Sequence, residues 1–379
     1  MSVSSVKRVV ITGIGMITPL GNKPAEVLAR IQAGESATAV PTHFDARPFA
    51  CKVCAEVRGF EAQAYVSEPK MARLMNRDAQ LAVAAARLAI QDAGISVGST
   101  YLPDEIGLFG STGLAGLPVQ DVAPLIRIST DSTGEFNLAR FGSAGLKAVS
   151  PILSFKILSN MPLCFVSINE NIQGPNAIYA PWEGAGAQAV EAGIRAVLAG
   201  DARCALVGGS DVKTHELAFT TLQQHGLFSS WTDKGAGMTP AEGAAFIVLE
   251  LEDDAKSRGA RIYAHVPKYS LRPHCTGNTM ASVRQKILSS LGIDQADALV
   301  SSVDGDAGAE DQENSVMNGA GIAETMTLCP KKHIGNAFAA AAPLQVALGA
   351  LLAEAGAERV LATCFGHGDT QAAFELERL

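Results

Sequence analysis

Short β-branched runs alternate with alanine-rich stretches along the whole chain, a rhythm that predicts strands interleaved with helices. Strands are expected over 8–12 (RVVIT), 106–109, 205–207, 245–249, 261–266, 298–303 and 359–363. Helices are expected over 73–93, 185–199 and 337–355. Strands such as ALVSSV and FIVLE have no polar face, so they belong to sheets covered on both sides. The stretch AFAAAAPLQVALGALLAEA is apolar nearly all round, which puts it inside the fold. The implied class is α/β, in layers of sheet and helix. The charged stretch 251–259 (LEDDAKSRG) is the one candidate boundary, giving halves 1–255 and 256–379. No Pro- or Ser-rich linker joins them, so the halves should pack tightly. Residues 116–150 have weak periodicity and read as loop and short helix. No tandem repeat is visible.

Composition narrows this picture. Of 379 residues, 47% are hydrophobic and only 18% charged, which suggests surface buried against another subunit. A net charge of −8 gives nucleic-acid binding no electrostatic support. No window reaches the roughly 18–20 uninterrupted apolar residues of a membrane span. The opening MSVSSVKRVVITGIG runs straight into a strand without the pattern of a signal peptide, so a cytosolic location is expected. Seven scattered cysteines do not make a disulfide framework. Cys51 and Cys54 form a lone CxxC with no second pair for zinc. They lie in strand-like FACKVCAEV rather than at a helix start, so small core residues are the reading, with no metal.

Five motifs carry possible chemistry, each with a plainer reading beside it. VVITGIG offers Gly13 and Gly15 as a dinucleotide fingerprint, but the third glycine position is Thr18. Turn glycines that let a strand reverse are the simpler account. In GPNAIYAPWEGAG a strand breaks at Pro181 and a helix starts near Gly184, which puts Glu183 at a helix N-terminus. Unpaired amides there stabilise an anion, which suits a nucleophile elbow as well as an ordinary first-turn acid. PKKHIGN places Lys331, Lys332, His333 and Asn336 ahead of the buried helix, plainly read as a basic loop with Asn as N-cap. VDGDAGAEDQEN lacks the ligand spacing of a calcium loop and reads as a solvated turn. CFGHGD, 364–369, either lines a pocket or makes a turn.

Taken in order, these segments resemble the β-ketoacyl-ACP synthase family of the thiolase fold over nearly the full chain. KRVVITGIGMITPLGN, MARLMNRDAQLAVAAARLAIQDAG, GLFGSTGLAG, GDARCALVGGSD and GMTPAEGAAFIVLELEDDAKSRGARIYAHV fall in family order and spacing. The resemblance implies a duplicated αβαβα core with two mixed sheets around buried helices. It also implies an elbow cysteine that carries the acyl chain and two histidines that stabilise the enolate of decarboxylation. Here the cysteine position falls on Glu183, the first histidine position on Asp304 and the second on Asn336. The family's lysine is kept as Lys331, and His367 falls near a gating aromatic. Asp311 and Glu313 match the family's acidic pair only loosely. No catalytic residue is therefore expected, because a carboxylate is a poor acyl carrier and Asp304 adds negative charge where an enolate forms.

The departures resemble the chain-length factors (KSβ) of type II polyketide systems, of which aryl-polyene pathways are the leading sub-class. That implies a subunit without activity alone, paired as a heterodimer with a Cys-His-His ketosynthase in an acyltransferase-class complex. It would shape the tunnel and meet an acyl carrier protein through the complex. No cofactor is implied beyond the carrier's phosphopantetheine. The alternative is a malonyl-ACP decarboxylase that primes synthesis, since Glu183 is nearly isosteric with the Gln of such family members. Cys364 lies beside the expected site as a possible acyl acceptor.

Overall fold

A computed structural model describes residues 7–379 apart from 115–118, 232–236, 321, 323–324 and 369. Ten strands form one continuous mixed sheet with a repeated plan. The first five are β1 (Val9–Ile17), β2 (Ile106–Thr112), β3 (Asn176–Tyr179), β4 (Cys204–Val212) and β5 (Glu242–Leu251). The second five are β6 (Ala264–Pro273), β7 (Ala298–Val300), β8 (Met326–Leu328), β9 (Arg359–Cys364) and β10 (Thr370–Glu377). In space the order is β8-β7-β9-β10-β6-β1-β5-β4-β2-β3. Each five therefore lies as first, fifth, fourth, second, third, and in each the last three of these run parallel. Among the described residues the two fives join within the sheet where Val10 and Ile11 of β1 face His265 and Ala264 of β6.

In each five the third strand leads into a buried helix. β3 leads to α3 (Trp182–Ala199) and β8, through the short α6 (Pro330–Ile334), to α7 (Ala341–Glu354). Every residue of α7 from Ala341 to Ala353 is buried, as its all-round apolarity predicts. The outer layers include α1 (Arg77–Asp92), α2 (Met161–Glu170), α4 (Met280–Leu291) and α5 (Ala307–Gly319). α1 starts later than the pattern at 73–93 suggests. The side chain of Asn76 caps it by accepting from the Ala79 amide, and residues 71–73 form a separate 3-10 turn.

Several expectations need correction. Gly13 and Gly15 do not make a turn, because β1 runs unbroken through both. They are small because α1 lies against the strand: a Cβ on Gly15 would sit 2.1 Å from the Ala85 carbonyl oxygen, and one on Gly13 2.5 Å from that of Ala89. The strand expected over 261–266 is β6, shifted to Ala264–Pro273. β8 and β10 have no counterpart among the expected strands. Of residues 116–150, those before 119 lie outside the described residues, and an 11-residue helix occupies Val119–Ser129. Cys51 and Cys54 are free and buried, with only Cys54–Ala55 in a strand. Among the described residues no helix is long and apolar enough to cross a membrane.

Candidate functional site

The carboxyl ends of β3, β7, β8 and β9 converge, which is where open α/β sheets place their ligands. The chain leaves β3 through Pro181 and turns at Trp182, whose φ of +71° is left-handed. A bulky residue holds that conformation only where its surroundings enforce it, and such strain gathers at functional elbows. Here Trp182 is packed edge-on to Phe338, centroids 5.6 Å apart, and to His225 at 5.8 Å. Glu183 follows in the first turn of α3 and is 1% exposed.

Around this carboxylate stand Asn336, Lys331, His367 and Asp304. Asn336, fully buried, donates from Nδ2 to Glu183 Oε1 at 2.9 Å and to Asp304 Oδ2 at 3.3 Å. Lys331 Nζ lies 3.6 Å from Glu183 Oε1, with both side chains buried. The His367 backbone amide donates to Glu183 Oε2 at 3.2 Å, and its Nε2 lies 2.9 Å from Asp304 Oδ2. Gly366 lets that turn approach, since a Cβ there would meet the Glu183 carboxyl carbon at 2.6 Å. Gln371 fixes the turn by donating to the Gly366 and Gly368 carbonyls. Asp369 lies outside the described residues.

Charge states follow from these contacts. Burial pushes the Glu183 carboxyl up, but Lys331, His367 and the Asn336 amide outweigh it and hold the group below its usual range. Asp304 behaves alike, with burial overcome by the hydrogen bond and charge of His367. Burial lowers the His367 imidazole, but Asp304 and Glu183 raise it above its usual value. The site is thus a tightly paired network that draws both carboxyls below, and the imidazole above, their ordinary values.

Two plain readings fail here. Asp304 is not in a solvated turn, being 4% exposed beneath His367. Asn336 does not cap the long helix, whose N-cap is Ala340; its Oδ1 instead accepts from the Phe338 amide. Of the loosely matched acids, Asp311 is exposed, whereas Glu313 is buried and accepts from Ser302 and Thr363. Lys332 and His333 point away from the site, Lys332 to Glu310 and His333 to the Glu35 carbonyl. Cys364 is buried, and desolvation lifts its thiol far above the usual range, so it holds little thiolate.

A cavity of about 390 Å³ opens beside this network, lined by Asp304, His367, Glu313, Phe365 and Met238. Arg284 of α4 also lines it, and sequence reasoning passed it over; nothing about a single arginine on an amphipathic helix marks it out. A second cleft, about 100 Å³, is lined by Trp182, Leu114, Lys213 and His215. Among the described residues no cluster of His, Cys, Asp and Glu is arranged to hold a metal ion.

The comparisons bear on what this architecture is. Residues 6–255 match the family described as β-ketoacyl synthase, N-terminal domain. The 3-oxoacyl-[acyl-carrier-protein] synthase 2 of Coxiella burnetii is 30% identical over 272 residues, covering 69% of this chain. The matched region is 62% of that relative's length. The synthase of the same name from Staphylococcus aureus (strain COL) is 26% identical over 350 residues, 89% of this chain and 79% of that one. Among solved structures, a β-ketoacyl synthase from Burkholderia phymatum superposes with a TM-score of 0.81 at 21% identity, covering 99% of this chain and all of the other. The ishigamide ketosynthase/chain length factor gives 0.80 at 23%, covering 98% and 99%. On this evidence of fold and sequence, the chain belongs to the β-ketoacyl synthase family.

Proposed function

We propose that this chain is a non-condensing subunit of the chain-length-factor type. It pairs with a Cys-His-His β-ketoacyl synthase and shapes the tunnel for a chain carried on the phosphopantetheine of an acyl carrier protein, in polyene or other type II polyketide synthesis. The observation that carries this reading is the locked carboxylate. Glu183 occupies the elbow position as an anion held by Lys331, Asn336 and the His367 amide. Its oxygens are committed to those partners, and an acyl-carboxylate anhydride formed from it would be prone to hydrolysis. Where an enolate would need neutral or positive donors, Asp304 contributes a carboxylate already tied to His367.

Pairing is supported by surface chemistry. Between 126 and 158 the chain exposes Ile126, Phe136, Leu138, Leu146, Phe155 and Leu158, with Leu138 73% and Phe136 62% exposed. So many exposed apolar side chains along one segment give a partner apolar surface to cover. The ishigamide neighbour, by its name, combines a ketosynthase with a chain length factor. The decarboxylase alternative gains less. An ionised Glu183 only accepts, and the Asn336 amide, the donor nearest it, is already shared between Glu183 and Asp304.

The test is co-expression with a cysteine-bearing synthase from the same type of pathway. A 1:1 complex, with condensation that stops when the partner's cysteine is replaced but persists in Glu183→Ala, is the expected result. A stable homodimer that gains nothing from any partner, or carbon dioxide release from malonyl-carrier protein that Glu183→Ala abolishes, would overturn it.

A further inference from the structure

Arginines near the interior of this molecule are paired, with one exception. Arg258 meets Glu250 at 2.6 Å, Arg77 meets Glu242 at 2.9 Å and Arg87 meets Glu170 at 3.0 Å. Arg284 is buried more deeply than these, 7% exposed, yet no described carboxylate lies within ion-pair distance. Its Nε donates to Gln371 Oε1 at 3.1 Å and its guanidinium lies over the Phe365 ring at 5.1 Å. The two terminal amino groups have no hydrogen-bond partner among the described residues, and the side chain lines the 390 Å³ cavity beside Asp304 and His367. The stem of this side chain is buried, while its two unpartnered amino groups open onto the cavity, where a ligand can reach them.

The neighbouring acids do not serve it. Glu313 accepts from Ser302 and Thr363, and Asp304 is bound to His367 and Asn336. Burial accordingly lowers Arg284 despite the charges of Glu313, Glu183 and Asp304 nearby. We propose that Arg284 makes this cavity a monocarboxylate site, its free fork closing on the two oxygens of a ligand carboxylate. That geometry suits a guanidinium better than any other side chain. A phosphate dianion is the poorer ligand, because Asp304, Asp306 and Glu313 line the same cavity and repulsion grows with ligand charge. The ligand is a free short-chain acid or a carboxy-terminated acyl thioester, which share this chemistry.

Calorimetric titration at fixed ionic strength tests the site with butyrate, its neutral amide butyramide, inorganic phosphate, and malonyl- and acetyl-pantetheine. The 379-residue chain should bind butyrate in preference to butyramide and phosphate, and Arg284→Gln should weaken butyrate at least tenfold. If the acyl thioester is the source, malonyl-pantetheine should bind more tightly than both butyrate and acetyl-pantetheine, and that margin should vanish in Arg284→Gln. If the source is a free acid, butyrate should bind at least as well as malonyl-pantetheine. Should Arg284→Gln fail to fold, Gln312→Trp at the exposed mouth keeps the cation but narrows the cavity, and should also weaken butyrate. Butyramide binding as well as butyrate, equal butyrate affinity in wild type and Arg284→Gln, undiminished binding in Gln312→Trp, or no carboxylate binding at all would each overturn the proposal.

Discussion

The two buried helices occupy equivalent places in the repeated sheet plan, and they are built for different ends. α3 enters through a strained elbow at Trp182 and bears a pinned carboxylate at its head. α7 enters through Phe338, also left-handed at φ +35°, but from Ala341 to Ala353 it carries no charge. Its Gln345 donates from Nε2 to the Ser301 carbonyl. The backbone route is duplicated and the chemistry is not. One copy is a packing element whose replacement costs core contacts; the other holds an electrostatic network whose members depend on one another.

That contrast can be broken at its most charged point. Lys331→Met leaves the Glu183 carboxylate buried without its nearest cation, at a cost of roughly 3–5 kcal/mol in denaturant unfolding. Adding Glu183→Gln to Lys331→Met should recover much of that loss, because the unpaired charge is gone. Full additivity of the two changes would mean the pair is not coupled. On the packing side, Leu348→Ala at the centre of α7 should cost roughly 2–4 kcal/mol by the same measurement and leave the pH dependence of unfolding unchanged.

A smaller effect separates the two regions by pH. Glu183 and Asp304 are depressed in the folded state, so their stabilisation is complete above the ordinary values of 4.5 and 3.8 and is lost as pH falls. His367 is raised, so its contribution is complete below 6.5 and is lost as pH rises through its folded value. Both contributions are complete only between these limits. The melting-temperature gap between wild type and His367→Gln should therefore be widest near about pH 5.5 and shrink on either side. A gap that does not vary with pH would mean His367 acts by packing alone.

Much of this site is legible in the sequence. Glu183, Asp304, Asn336, Lys331 and His367 sit in short motifs that follow β3, β7, β8 and β9, and the ends of those strands meet. Position in the motif gave the residue; it gave neither burial nor partner. Asp304 therefore reads in the sequence as part of a solvated turn, whereas in the fold His367 lies over it. β10 was missed because TQAAFELE has few β-branched residues, and its strand state comes from being clamped between β9 and β6. Gly13 and Gly15 were misread because the helix that needs their missing side chains starts more than sixty residues later. Arg284 left no trace, since its distinction is a partner it lacks.

The central claim of the proposed function is that a paired carboxylate at the elbow leaves this chain unable to condense. The most direct test is the rate at which the purified chain, alone, joins an acyl group to malonyl-carrier protein. The account predicts no product above the uncatalysed background. Turnover at an ordinary enzymatic rate, with Glu183 in place and no partner present, would contradict it.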